Sequence, residues 1–132
     1  MAYKREYISK ATRMKVWNKY NHHCAYCGCE LEYKDMQVDH LSSVLKAEFN
    51  KDLRNNLDVI ENYMPSCRSC NYYKRAGGIE SMRKNISKLY IQLEKSFDYR
   101  LAKKYGLIEE TPHEIEFYFE WFDKYNEENI ND

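Results

Sequence analysis

Two Cys-x-x-Cys pairs, Cys24-Ala-Tyr-Cys27 and Cys67-Arg-Ser-Cys70, constrain this chain more than any other feature. Two such knuckles supply four thiolates, and Zn²⁺ accepts four thiolates in tetrahedral geometry. A complete shell of Cys24, Cys27, Cys67 and Cys70 leaves no position for water, so this zinc staples the fold and catalyses nothing. Cys29 is a spare; the two-residue spacing makes Cys24 and Cys27 the better pair. Paired knuckles fit a reducing compartment better than a disulfide framework. A thioredoxin-like dithiol is disfavoured because no βαβ pattern surrounds either pair. His22 and His23 are read as residues at a helix end, where the dipole mildly favours an imidazolium, and not as ligands.

At 132 residues the chain is expected to be one domain with one modest core. Its apolar runs are too short for a membrane span and nothing resembles a signal peptide, so a soluble, cytoplasmic protein with no membrane partner is expected. A formal net charge of zero argues by itself against a general nucleic-acid binder. The distribution argues otherwise. Residues 1–20 carry Lys4, Arg5, Lys10, Arg13, Lys15 and Lys19 against Glu6 alone, and residues 68–88 carry Arg68, Lys74, Arg75, Arg83, Lys84 and Lys88. Acids collect after Glu109. Phosphate binding responds to the local field, not to the total charge.

The spacing of Met14, Val16, Trp17 and Tyr20 after a Ser9 cap predicts a helix near 9–21. Gly28 assists a turn over the first knuckle. Residues 31–38 read as extended and deliver Asp39-His40 at a strand end. Residues 41–60 form a connection with a short helix near Val44–Phe49, and an extended segment near 58–64 delivers Asn62 and Pro65. A helix is expected from Cys67, because Cys67 and Cys70 at i and i+3 share a face. A long helix is expected at about 79–95, and further turns at 97–105 closed by Gly106. Thr111-Pro-His-Glu114 has the form of a capping box ahead of a last helix through Tyr118, Phe122 and Tyr125, with an alternating edge strand over Phe117–Phe122 as the other reading.

Zinc binding draws the segment after Cys27 towards the helix at Cys67 and brings Asp39-His40 near Asn71. A carboxylate and an amide oxygen are hard ligands suited to Mg²⁺ or Mn²⁺. A neutral imidazole beside them is placed to take a proton from water. Asp39, His40 and Asn71 together therefore suit phosphodiester hydrolysis, with Lys74 one turn along the same helix to hold a neighbouring phosphate.

In these residues the chain resembles the HNH endonuclease family. Cys24-x-x-Cys27, Val38-Asp39-His40 and Asn62-x-x-x-x-Cys67-x-x-Cys70-Asn71-x-x-Lys74 match its zinc-containing branch in order and spacing. The resemblance implies an α+β protein with a ββα-metal core over about residues 15–85, stapled by the four-cysteine zinc site, and a helical extension over about 86–132. It implies His40 as general base, Asp39 and Asn71 as ligands of the catalytic Mg²⁺ or Mn²⁺, and Asn62 as the residue that fixes the base-bearing loop. Asn71 stands where many members have His, making this a His-Asn-Asn variant. Leu41-Ser-Ser-Val44 replaces the Ile-x-Pro and Gly-rich residues usual after the first motif.

The implied partner is DNA, double-stranded and contacted at its backbone by Lys15, Lys19, Arg68, Lys74, Arg75 and Arg83. Such contacts position DNA without reading its sequence. Two alternatives remain open from the residues: a non-catalytic zinc module that binds nucleic acid, and the same site acting on RNA.

Overall fold

The computed structural model describes residues 7–42, 59–75 and 77–130. These fall into two compact units, one built from the residues up to Ile79 with those from Glu116 onward, the other spanning Glu80–Ile115.

The first unit begins with α1, Lys10–Lys19, where extended Ser9 accepts a hydrogen bond from the Thr12 amide at 3.2 Å. This relieves one of the donors a helix start leaves unpaired. The helix stops at Tyr20 because Asn21 and His22 take φ values of 53° and 67°, which turn the chain back into the knuckle. His23 then bridges Glu30. Two side chains of α1 grip the returning segment: Trp17 Nε1 donates to the Leu31 carbonyl and an Arg13 guanidinium nitrogen to the Met36 carbonyl, each at 2.9 Å.

That segment leads through a 3₁₀ turn, Tyr33–Asp35, into β1, Gln37–His40. A second 3₁₀ turn, Ile60–Asn62, leads into β2, Tyr63–Ser66. The strands are antiparallel in the register Gln37↔Ser66, Val38↔Pro65, Asp39↔Met64, His40↔Tyr63. In a two-stranded sheet each strand is an edge, so Pro65 is tolerated without an N–H. Its carbonyl accepts from the Ala25 amide at 2.8 Å and so ties the first knuckle to β2. Directly after β2 comes α2, Arg68–Lys74, with Cys67 as N-cap, its sulfur accepting from the Cys70 amide at 3.4 Å. The order β1, β2, α2 is the expected ββα core, and with the flanking helices the protein is α+β. The expected helix near Val44–Phe49 lies outside the described residues.

The core gathers Val16, Tyr20, Cys24, Ala25, Tyr26, Leu31, Met36, Tyr63, Met64 and Phe117. Phe117 comes from the far end of the chain, just before the last helix, Tyr118–Ile130. That helix does not begin at the Thr111–Glu114 capping box: residues 111–117 are not helical. The start is set elsewhere. The Tyr118 and Phe119 amides, donors that a helix's first turn leaves free, bond the Tyr26 and Ala25 carbonyls at 3.1 and 2.8 Å, and Glu120 Oε1 accepts from the Phe117 amide at 2.9 Å. Phe117 and Phe119 then meet the Tyr26 ring edge-on.

The second unit carries α3, Ile79–Ser87, α4, Leu89–Leu93, and α5, Phe97–Lys104; the last helix is thus α6. The single helix expected over 79–95 is broken at Lys88. Ser87 Oγ donates to the Lys84 carbonyl at 2.7 Å, a side-chain competitor for a main-chain acceptor. Lys103 closes the unit by bridging Glu94 and Glu110. Among the described residues no helix is long and apolar enough to cross a membrane.

Gly28 marks where α6 meets the knuckle. Its φ is +79°, and a Cβ there would lie 2.8 Å from Tyr118 Cδ2. Gly28→Ala is expected to destabilise the protein by about 1–3 kcal/mol, combining the left-handed penalty with the clash. Urea unfolding measures it; an unchanged midpoint would contradict this packing.

Candidate functional site

The turn after α1 and the start of α2 bring the two knuckles together. The sulfurs of Cys24, Cys27, Cys67 and Cys70 all lie within 4.8 Å of one another, and those of Cys27 and Cys67 are 3.9 Å apart. Four sulfurs at ~2.3 Å from a tetrahedral zinc are separated by ~3.8 Å, so the cluster fits the ion closely. Cys29 is exposed and outside it. A hydrogen bond from the Cys70 side chain, aided by backbone amides, outweighs burial and pulls the Cys24 thiol down to about 4. Cys70, which keeps the shared proton, is pushed up. The cluster thus favours a thiolate at its most buried position, the form that zinc takes. His22 and His23 have other partners, the Asn18 side chain and the Asn21 carbonyl.

Asp39 and His40 end β1, both buried. On Asp39 Oδ2 two donors converge: the Tyr26 hydroxyl at 2.5 Å and Lys74 Nζ at 3.0 Å. The Lys74 ammonium also donates to the His40 carbonyl at 2.8 Å, and its side chain is 0% exposed. Lys74 is therefore an internal counter-ion, not the phosphate contact its position on the helix suggested. Being one turn beyond Asn71 on α2 turns it towards the sheet, where the Asp39 carboxylate supplies the charge that a buried ammonium requires. The His40 ring packs edge-on to Tyr63 at 5.2 Å.

Asn71 donates through Nδ2 to Gln37 Oε1. Gln37 and Asp39 are two apart on β1 and so share a face, which sets Asn71 on the same side of the strand as Asp39. Asn62 clamps the loop beyond His40: its Oδ1 accepts from the Ser42 amide and its Nδ2 donates to the Ser42 carbonyl, both at 2.9 Å, while its own carbonyl accepts from the Leu41 amide at 2.9 Å.

Tyr26 and Gln37 are the residues that motif reading passed over. Gln37 was within reach of strand periodicity, standing two before Asp39. Tyr26 was one of 13 tyrosines, without a local signal beyond its place between two ligating cysteines. Burial and the Asp39 carboxylate push its phenol far above the usual range, so it acts as a donor.

The basic residues divide. Lys15, Arg68 and Arg75 are exposed, Arg75 lying over the Tyr72 ring. Arg83 pairs with Glu80 at 3.0 Å and reaches the Ile115 carbonyl within the second unit. Lys19 is turned inward onto carbonyls of residues 60–63.

The family model described as HNH endonuclease matches residues 24–77. No curated protein and no solved structure matches the chain.

Two outcomes follow from this geometry. Cys67→Ser, or chelation of the wild type, should abolish the near-UV circular dichroism of the folded state, since a four-cysteine zinc site contributes on the order of 10 kcal/mol; full ellipticity in chelated, reduced protein would refute the staple. Lys74→Met should destabilise by about 3–5 kcal/mol through the stranded Asp39 carboxylate, and Asp39→Asn in the same chain should recover part of that. A Lys74→Met protein as stable as wild type would return Lys74 to the surface.

Proposed function

We propose, from the match of residues 24–77 to the HNH endonuclease family model, that the chain is a metal-dependent endonuclease hydrolysing phosphodiester bonds in double-stranded DNA. The observation that carries this reading is the clamp of Asn62 on Ser42. Both hydrogen-bonding groups of one amide side chain are committed to main-chain atoms two residues beyond His40. Such a clamp suits a histidine whose position must be held for chemistry more than one that only fills the core.

In this reading His40 is the general base, which takes a proton from the attacking water. Its main chain is held from two directions, by pairing with Tyr63 in the sheet and by Lys74 on its carbonyl. Asp39 and Asn71 would hold Mg²⁺ or Mn²⁺, which supplies stabilisation of charge developing on the phosphate and the departing 3′ oxygen. The residues suit that ion. Metal-binding carboxylates are ordinarily hydrogen-bonded by outer groups, and Tyr26 and Lys74 serve Asp39 in that way through a single oxygen. The four-cysteine zinc stands apart as the staple.

Binding to DNA is assigned to the exposed Lys15, Arg68 and Arg75, through backbone phosphates. Affinity should accordingly fall with salt and vary little with sequence.

His40→Ala is the test. It should keep zinc content, fold and DNA affinity and lose at least roughly a hundredfold in cleavage, the usual share of a general base. Nicking of supercoiled plasmid and zinc content should be measured on one preparation, with Mg²⁺ and with Mn²⁺. Cleavage at the wild-type rate would remove His40 from the chemistry. A wild-type chain that binds DNA and cleaves neither DNA nor RNA would make this a zinc-stapled binding module.

A further inference from the structure

Lys19 ends α1, and its sequence neighbourhood is that of a phosphate-binding residue. Its ammonium instead meets three main-chain carbonyls: Tyr63 at 2.9 Å, Glu61 at 3.2 Å and Ile60 at 3.4 Å. An ammonium has three N–H donors, so its capacity is taken up by this one segment. Burial lowers the Lys19 pKa, while Asp123 and Glu61 oppose that shift. The charge is thus balanced by the protein's own groups.

The segment in question is the 3₁₀ turn Ile60–Asn62 and the first residue of β2. A turn of this length holds itself weakly, through i→i+3 bonds of poor geometry. Here the amides of Asn62 and Tyr63 return to the Val59 and Ile60 carbonyls. Of the four consecutive carbonyls at 60–63, Lys19 takes three, while that of Asn62 accepts from the Leu41 amide. Lys19 therefore holds one side of the turn while the loop after His40 is bonded to the other. Asn62 sits between the two, with its side chain on Ser42.

We propose that Lys19 is a positioning residue for the nuclease site: it fixes the turn that aims Asn62 at Ser42, and through it the loop following His40, and it does not contact DNA. This rests on the nuclease reading above for its effect on turnover, but not for its effect on the loop.

The experiment compares full-length, zinc-loaded wild type, Lys19→Met, Lys19→Arg, Asn62→Ala and the Lys19→Met/Asn62→Ala double variant. Plasmid nicking gives kcat and KM, a salt titration of duplex binding gives the counterion slope, and hydrogen exchange follows the Leu41 and Ser42 amides. Lys19→Met should lower kcat at least roughly tenfold with KM and slope unchanged, Lys19→Arg should restore most of it, and adding Lys19→Met to Asn62→Ala should cost less than about twofold more. The Leu41 and Ser42 amides should exchange faster in Lys19→Met.

A slope reduced by about 0.9 with kcat intact would make Lys19 a phosphate contact and overturn the proposal. So would independent, multiplicative losses in the double variant, or unchanged exchange at Leu41 and Ser42. Should Lys19→Met fail to fold, Lys19→Gln carries the same comparison. If the wild type cleaves nothing, the nuclease reading fails by itself, and the exchange measurement still decides whether Lys19 holds the loop.

Discussion

Four cysteine sulfurs within 4.8 Å of one another join two knuckles with 39 residues between them, and the rest of the first unit is arranged by that closure. The first knuckle fixes the turn leaving α1; the second fixes the start of α2, where Cys67 is ligand candidate and N-cap together. Between them, β1 and β2 have little freedom of register, since Ala25 of the first knuckle bonds Pro65 of β2. A two-stranded sheet is marginal by itself in water. Here its Gln37–Ser66 end adjoins the four-cysteine cluster, and a zinc ion bound by four cysteines is worth about as much as a small domain's whole stability.

The same closure brings buried charge under control. Asp39 and Lys74 are 35 positions apart in sequence and 3.0 Å apart in space, with Lys74 wholly shielded from solvent. Desolvating both is costly, and their attraction offsets that cost only because further groups saturate them: the Tyr26 hydroxyl on the carboxylate and the His40 carbonyl on the ammonium. Because Tyr26 lies inside the first knuckle, the residue that bonds Asp39 is carried by the four-cysteine cluster itself. The cysteine cluster and Asp39 are therefore joined through one phenol.

The last helix contributes as well. Its first amides cap onto Ala25 and Tyr26, and Phe117 and Phe119 wall the Tyr26 ring. Residues with no motif of their own thus help to hold the knuckle and, through Tyr26, Asp39. The acidic composition after Glu109 concealed this, because the docking uses main-chain donors and aromatic faces, neither of which charge reports.

What the sequence by itself determined was the part written in side chains with few alternatives. Four paired cysteines admit essentially one metal geometry, and Ser9 with its apolar spacing admits one helix start; the zinc cluster, α1 and the ββα order were legible for that reason. Asp39, His40, Asn62 and Asn71 stood out as a candidate constellation because their chemistry is unusual at that spacing. Tertiary structure decided the direction of long, flexible side chains. Lys19 and Lys74 read as surface cations, yet each is turned inward by acceptors supplied 41 to 44 and 34 residues away. The same holds for the break at Lys88, set by one Ser87 hydroxyl, and for the start of α6, set by carbonyls of a distant knuckle and not by its own capping box. Local sequence encodes which donors and acceptors exist. Only the closed fold determines which of them meet.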